Sequence, residues 1–182
     1  MPEKQNTAWS RVFGRGAGLK TTNYDNTFIL VSEDCPVLKA ETPKPKSAGP
    51  TIASAQYELI INHPYELSSD DILFLVHAQR NKIDKKDIER EREVFFSKGQ
   101  ACLRSSPLVK RYGWGIHHDA QGRVAIFPLE SERYRQLAHD GTIKRLRGLR
   151  ARAKLSSAFR RLDLGQVCSI FPVQNRRNNK LF

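Results

Sequence analysis

The chain has 182 residues, of which 39% are hydrophobic and 27% are charged. This balance is typical of one folded domain with a real core, and it excludes collagen-like and fully disordered chains. No apolar run approaches the roughly 18 residues of a membrane span, and the first twenty residues lack the apolar central segment of a secretory signal. We therefore expect an intracellular protein, located in the cytoplasm or the nucleus.

The cysteine content argues against a metal or redox centre. Cys35, Cys102 and Cys168 stand far apart in the sequence and form no CxxC pair. Zinc sites and dithiol motifs use closely spaced pairs, so we expect free thiols in a reducing compartment. The chain also lacks a Rossmann or Walker glycine pattern in the right context. The sequence therefore predicts no metal and no cofactor.

The net charge of +12 is concentrated in the last quarter of the chain. Residues 141–182 contain eleven Lys and Arg and one acid, a net charge of +10, whereas residues 1–140 carry +2. A polyanionic partner would therefore meet the C-terminal segment first.

Two segments in the first third of the chain have features of β-strands. Residues 1–19 are Gly-rich without periodicity, which predicts a flexible arm. The run from Thr27 to Ser32 is rich in β-branched and aromatic residues, which predicts a strand. After a proline-rich surface loop at 41–50, residues 51–62 are interpreted as a second strand that ends at a turn.

Two helices are predicted next. The pair Ser68-Ser69 offers a hydroxyl to cap a helix, and the two aspartates that follow complement the helix dipole, which predicts a helix over about 70–80. A second helix near 84–97 exposes an alternating charge pattern. Its predicted buried residues are Ile88, Val94 and Phe95.

Capping and turn signals define the elements that follow. Ser106 before Pro107 marks a helix start. Residues 113–127 are predicted to form two short strands joined at 119–122, where Gly122 can adopt the positive φ of a tight hairpin. Ser131 caps a further helix.

Residues 141–182 are predicted to be a basic extension that is partly helical and has a disordered end. At about 100° per residue, the apolar side chains fall into two stripes on opposite sides, so either a helix breaks near residues 156–157 or its second half packs elsewhere. The first stripe contains Ile143, Leu146, Leu149 and Ala153, and the second contains Leu155, Ala158, Phe159 and Leu162. The complete prediction is a single α+β domain at 20–140, with about four strands in a mostly antiparallel sheet and three or four helices.

Segment 98–118 combines the features of an anion site. A Ser-Pro helix start can offer free amides to a phosphate, nearby cations can pair with it, and aromatic rings can stack on a base. We interpret this segment as the site of a phosphate-bearing, nucleotide-like small molecule. A structural interpretation stays open, in which the tryptophan lies in the core and the first arginine satisfies carbonyls. The candidate residues are Lys98, Arg104, Ser106, Lys110, Arg111, Tyr112 and Trp114.

A second hypothesis is an enzyme that uses His117 or His118 as an acid or base, either His118 with Asp119 or His117 with a serine. Neighbouring side chains on a strand face opposite sides, so only one of the two histidines can enter any given pocket. The same geometry argues against both histidines binding one metal ion.

A third hypothesis is nucleic-acid binding by the segment KRLRGLRARAK, which has six basic residues in eleven. Such a segment contacts phosphates without selecting bases. A nuclear import signal, a membrane-surface helix and a basic helix packed on the domain explain the same pattern. The candidate residues are Lys144, Arg145, Arg147, Arg150, Arg152 and Lys154.

Four blocks in the chain, in order, resemble those of a known family: TTNYDNTFILVSEDCPV, SSDDILFLVHAQR, FFSKGQACLRSSPLVKRYGWGIHHDAQGRVAIF and SERYRQL. The family is domain of unknown function six-one-five-seven, and the resemblance covers about residues 20–150. Because the family has no assigned activity, cofactor or partner, the resemblance implies no function, and it makes the tail an addition to the core. Typical members read Gln-Pro-Cys-Leu-Arg-Ala-Ser-Pro-Leu, so this chain departs from them at Ala101 and Ser105. The resemblance thus implies that Ser105 is not a general nucleophile and favours Arg104 and Ser106.

Overall fold

The computed structural model describes residues 20–150, which form five α-helices and four β-strands. Two single turns of 3-10 helix, Lys85–Asp87 and Leu103–Ser105, precede α3 and α4. These elements confirm the predicted α+β class. In chain order they are β1 (Thr27–Leu30), α1 (Ile52–Asn62), α2 (Ser69–Asn81), α3 (Ile88–Ser97), α4 (Pro107–Arg111), β2 (Trp114–His118), β3 (Val124–Pro128), α5 (Glu132–His139) and β4 (Lys144–Arg147).

The four strands form one sheet in the order β3-β2-β1-β4. β2 pairs antiparallel with both β1 and β3, and β4 pairs parallel with β1, so the sheet is mostly antiparallel as predicted. The hairpin between β2 and β3 turns at Gly122, whose φ of 76° is in the region that favours glycine. Its amide donates a hydrogen bond to the Asp119 carbonyl at 3.0 Å.

Both faces of the sheet are covered by helices. Side chains such as Ile29 and Ile116 point to one face and meet residues of α1, α2 and α4 in the larger core cluster. Phe28 points to the other face, where it packs with Tyr134 and Leu137 of α5. Complete burial of a side chain of this size contributes about 1.5–3 kcal/mol to stability. The strand alternation therefore divides the functional side chains of the sheet between two different environments.

Residues 51–62, predicted to be a strand, form helix α1. The Thr51 hydroxyl accepts a hydrogen bond from the Ser54 amide at 3.1 Å, and the Ser54 hydroxyl accepts one from the Thr51 amide at 2.9 Å. This reciprocal capping box is a signature of a helix start. The strand prediction is wrong because a short apolar run fits a buried strand as well as a buried helix. Only the capping box and the eleven-residue length, which is long for a strand, distinguish the two.

The helical stripe predicted through Ile143, Leu146 and Leu149 is also wrong within the described residues, because Lys144–Arg147 is strand β4. Hydrogen bonds from the Lys144 amide to the Asn26 carbonyl (2.9 Å) and from the Gly148 amide to the Leu30 carbonyl (2.8 Å) frame its pairing with β1. Pairing satisfies backbone groups that an open edge of β1 would leave to solvent. The sheet therefore extends beyond residue 140, the predicted end of the core domain.

Several further predictions for the C-terminal extension, from Ala153 onward, and for the arm at 1–19 lie outside the described residues. Within the described part, the caps predicted at Ser106 and Ser131 are confirmed, and Ser68 is the capping residue of the predicted Ser68-Ser69 pair. Each of these hydroxyls accepts a hydrogen bond from a backbone amide at a helix start. These signals depend only on neighbours a few positions away, which is why the sequence reveals them.

The buried face of helix α3 is predicted in part: Ile88 is buried as predicted, and Phe95 is half-buried. Ile88 and Phe96 are buried, whereas Val94, predicted to be buried, is 57% exposed. Between Ile88 and Phe96 on this face lies Arg92, whose Nη2 donates to the Asp71 carboxylate at 2.8 Å. An arginine thus occupies a position at which the helix period would place an apolar side chain.

Candidate functional site

The predicted helix start at Ser106 is satisfied by the protein itself. The Ser106 hydroxyl accepts from the Leu108 amide at 3.1 Å and donates to Gln56 Oε1 at 2.6 Å. Ser106 is buried, and α4 is only five residues long. The hydroxyl is thus already engaged, which removes one of the predicted features of an anion site in this segment.

Trp114 is a core residue. Its side chain is 8% exposed, its Nε1 donates to the Glu41 carbonyl at 2.8 Å, and its ring packs edge-on against Tyr57 with 5.1 Å between centroids. Tyr112 is half-buried against the same core cluster. This arrangement matches the structural interpretation of Trp114, because a base has no open indole face on which to stack.

Arg104 connects the predicted anion site with the basic C-terminal segment. Its Nε and Nη2 donate to the Arg147 carbonyl at 3.2 and 3.1 Å, and the Leu149 amide donates to the Arg104 carbonyl at 2.8 Å. Within residues 20–150 no carboxylate forms an ion pair with Arg104. The guanidinium therefore adds its charge to the end of β4, 43 positions away in the sequence.

The remaining predicted cations are spread over the surface. Lys98 follows α3 and is exposed, whereas Lys110 and Arg111 lie in the last turn of α4 and are half-buried and exposed, respectively. In the described part of the chain, no side-chain hydrogen bond or ion pair connects them with Arg104. The contacts of residues 20–150 thus do not gather the predicted cations around Arg104.

We call the surface formed by Arg104, β4 and the residues just after it the basic edge. β4 has β1 as its strand partner in the sheet, and the register places Arg145 beside Phe28 and Arg147 beside Leu30, on the face covered by α5. Predicted residues Arg152 and Lys154 lie outside the described residues. The members of the basic edge are Arg104, Lys144, Arg145, Arg147 and Arg150.

One carboxylate serves two arginines of the basic edge. Glu33 Oε2 lies 2.6 Å from Arg150 Nη2, and Glu33 Oε1 lies 3.5 Å from Arg147 Nε. The hydrogen bond from Arg150, followed by the charges of both arginines, lowers the pKa of the Glu33 carboxyl. Because all three side chains are more than half exposed, these pairs are weak and can be exchanged for contacts to another anion.

His117 and His118 lie on opposite faces of the sheet, as strand alternation predicts. His117 is half-buried on the α5 face, with its Nδ1 2.8 Å from the Tyr65 hydroxyl. Burial, followed by the positive charge of Arg133, lowers the pKa of His117. Its imidazole is therefore neutral at physiological pH and still partly open to solvent.

His118 is fully buried on the other face. Among the described residues, neither of its ring nitrogens has a hydrogen-bond partner, and its ring packs edge-on against Tyr24 with 5.4 Å between centroids. Burial is the main cause that lowers the pKa of His118 to about 4, and the charge of His117 adds to it. The nearby Gly122 backbone raises this pKa only in part, and it forms no hydrogen bond with the ring. A neutral imidazole shielded from solvent is poorly placed to exchange protons with a substrate.

Asp119 shapes the hairpin turn. One of its carboxylate oxygens, Oδ1, accepts from the Gln121 amide at 2.9 Å and from the Arg123 amide at 2.7 Å. This is the usual role of an aspartate at a turn. Its carboxylate is near enough to His117 to oppose the lowering of the pKa, but no hydrogen bond joins the two residues.

The described residues offer neither a clear metal site nor a membrane helix. Between residues 20 and 150, no three His, Cys, Asp or Glu side chains are grouped so that they could hold a metal ion. No helix in this part of the chain has the length and apolar character needed to cross a membrane.

Cys35 and Cys102 are free thiols, and Tyr24 donates its hydroxyl hydrogen to Cys102 Sγ at 3.2 Å.

The fold and the site define an α+β protein with a basic edge on its sheet. Residues 19–154 match the family of unknown function DUF6157, and the chain belongs to that family. The match confirms the resemblance seen in the sequence blocks and includes β4. No curated protein and no solved structure matches the chain.

Sequence reasoning missed three residues that complete these sites: Glu33, Tyr65 and Arg133. Tyr65 lies 52 positions from His117, and Glu33 lies 117 positions from Arg150. These residues could not be predicted, because a single charged or aromatic residue in a loop or on an exposed helix face gives no local indication of a distant partner.

Proposed function

We propose that this protein binds a nucleic acid through its phosphate backbone at the basic edge. The observation that carries the proposal is the attachment of Arg104 to the Arg147 carbonyl, which adds an arginine from a distant segment to a strand that is already basic. The acids that act on this surface at Arg150 are Glu33 and Asp34.

Arginine is well suited to this role because its planar guanidinium can form two hydrogen bonds with one phosphate. Arg147 and Arg150 share a single exposed carboxylate, so a phosphate can replace or supplement that contact at low cost. The strand supplies a firm backbone, which reduces the ordering cost of binding relative to a free tail. Binding of this kind is salt-dependent and largely independent of base sequence.

An extended polyanion fits this surface better than the nucleotide-like small molecule expected from segment 98–118. The indole of Trp114 is buried and the Ser106 hydroxyl is engaged, so two of the groups expected to hold a small ligand are already in use. The cytoplasmic or nuclear location expected from the sequence would give such a surface access to nucleic acids.

Neutralising three arginines of the basic edge is expected to weaken nucleic-acid binding by tenfold or more. The variant combines Arg145→Gln, Arg147→Gln and Arg150→Gln in the full-length chain. For single-stranded DNA, loss of three phosphate contacts should reduce the slope of log K against log salt by about 2. Fluorescence anisotropy with labelled single-stranded and duplex oligonucleotides, across a salt series, measures both quantities.

A matched control combines Lys85→Gln, Lys86→Gln and Arg90→Gln, which remove the same charge at exposed positions around the start of α3. This control should bind within about twofold of the unchanged protein, since distant surface charges are screened over about a Debye length. Equal weakening in both variants would show that net charge alone is responsible, and absence of oligonucleotide binding by the unchanged protein would reject the proposal. A further variant, Arg152→Gln with Lys154→Gln, tests whether residues beyond the described part contribute.

A further inference from the structure

The side chain of Tyr24 connects the thiol of Cys102 with the imidazole of His118. The Tyr24 hydroxyl donates to Cys102 Sγ at 3.2 Å, and the Tyr24 ring meets the His118 ring edge-on with 5.4 Å between centroids. Tyr24 and Cys102 are half-buried, whereas His118 is completely buried. A thiol that solvent reaches is thus two contacts away from an imidazole that solvent does not reach.

The ring nitrogens of His118 have an unusual environment for buried polar atoms. Both are buried, and among residues 20–150 neither has a hydrogen-bond partner. Buried polar groups are nearly always paired, and the exceptions are associated with strain, with chemistry or with a bound group. Rotation of the Tyr24 ring away from His118 would let water reach these nitrogens, so the position of this one ring decides whether they stay unpaired.

The backbone on both sides of Tyr24 is held in place. Before it, the Asp70 carboxylate accepts from the amide and the hydroxyl of Thr22 at 2.8 and 2.7 Å. After it, the Asn26 amide donates to the Asp119 carbonyl at 2.9 Å. A change at the thiol is therefore expected to rotate the tyrosine ring rather than to move the whole segment.

The surroundings of Cys102 are those of a thiol open to modification. Reactive cysteines are partly exposed and lie near positive charge. Cys102 is half-buried, and Arg104 follows two residues later in the 3-10 turn, where no carboxylate of residues 20–150 forms an ion pair with it. In a reducing compartment, disulfides are transient and serve catalysis or redox sensing.

We propose that Cys102 is a site of reversible exchange with a low-molecular-weight disulfide, and that the mixed disulfide displaces the Tyr24 ring from His118. The Cys102 thiolate attacks one sulfur of the disulfide, so that a sulfur–sulfur bond forms at Cys102 and the bond within the reagent breaks. The other half of the reagent leaves as a thiolate and takes up, through solvent, the proton that Cys102 released. A further thiol reverses the exchange, and none of these steps depends on nucleic-acid binding.

The displacement of the ring follows from the loss of its acceptor. The attached group occupies space beside Sγ, and the sulfur, now bonded to a second sulfur, is a weak acceptor. The Tyr24 hydroxyl then has no good partner at a half-buried position, which favours turning toward water. The His118 ring loses its edge-on contact and becomes accessible to solvent.

The test follows the His118 imidazole by two-dimensional proton–nitrogen NMR in full-length chains that keep one thiol each. Cys35→Ser with Cys168→Ser leaves Cys102, and Cys102→Ser with Cys168→Ser leaves Cys35. Cys35 is the matched control, because it is also half-buried but packs in the core cluster on the α5 face. Oxidised glutathione is the probe, and intact-mass spectrometry measures the mixed disulfide.

Modification of Cys102 should move the His118 signals and speed the exchange of its ring proton with water. Dithiothreitol should restore the original signals, which shows that the chain stayed folded. Modification of Cys35 should leave the His118 signals in place.

Tyr24→Phe, added to the chain that keeps Cys102, tests whether the hydroxyl couples the two groups. This variant keeps a ring beside His118 but has no hydroxyl that could lose an acceptor, so modification of Cys102 should lose most of its effect on the His118 signals. Three results would overturn the proposal: no mixed disulfide at Cys102 in the folded chain, His118 signals that stay unchanged after complete modification, or an equal response in Tyr24→Phe. Movement of the His118 signals by the Cys35 adduct to the same extent would also contradict it.

Discussion

Lowering the pH from about 7 to about 4 is expected to remove about 3 kcal/mol of the free energy of unfolding through His118 alone. Burial lowers the pKa of this imidazole in the folded protein to about 4, against an ordinary value of 6.5 in the unfolded chain. Between these two values the unfolded state binds more protons than the folded state. Stability therefore falls as the pH falls through this range, and His118 has no effect on the pH dependence above it.

Other groups titrate in the same range, so the measurement depends on a difference between variants. The lowered pKa of His117 has the same sign, and Glu33 and Asp140 add losses at lower pH. Urea unfolding at several pH values should give a steeper loss for the unchanged protein than for His118→Leu, which cannot take up the proton. His139→Leu, at an exposed position, should keep the full slope. The same slope for His118→Leu as for the unchanged protein would contradict the assignment.

Replacing Gly115 with alanine is expected to destabilise the fold by about 3 kcal/mol, the upper part of the range for overpacking. A Cβ atom at this position would lie 2.6 Å from Tyr134 Cε2 and 2.7 Å from Phe28 Cζ. Both rings are buried, and their centroids are 5.1 Å apart in an edge-on contact. Neither ring can withdraw without separating α5 from β1, so the added methyl group displaces the helix.

Gly141→Ala is the matched control for this substitution. A Cβ atom at Gly141 meets nothing within 4 Å. Thermal and urea unfolding should therefore place Gly141→Ala within about 0.5 kcal/mol of the unchanged protein, as for most surface substitutions. A similar small effect at Gly115 would show that the α5 face is loosely packed. Because His117 lies on the same face, loss of helix packing in Gly115→Ala should also disturb its NMR signals.

Local signals in the sequence predicted a large part of the fold. The caps at Ser68, Ser106 and Ser131 and the turn at Gly122 were recognisable because each depends on residues a few positions apart. The helix at 51–62 was missed although its capping box is also local, because its apolar run fits a buried strand as well as a buried helix. β4 was missed for a different reason: its partner is β1, at the other end of the domain, and a strand of four residues has too little periodicity to be recognised alone.

The candidate sites were predicted less completely than the fold. Arg104 and the arginines of β4 were each identified, but nothing in the sequence indicates that the Arg104 side chain reaches the Arg147 carbonyl. The hydrogen bond between Tyr65 and His117 likewise joins segments that become neighbours only when β3 has formed. Sequence alone could identify the residue types but could not predict their pairings.

Because β4 pairs with β1, the same four residues carry positive charge and complete the sheet. The backbone of this strand pairs with β1, while its arginine side chains take no part in that pairing. An arginine of β4 can therefore be replaced without removing a backbone hydrogen bond of the sheet. A truncation that removes β4 would instead make β1 an unpaired strand at the margin of the sheet, available for pairing with a neighbouring molecule.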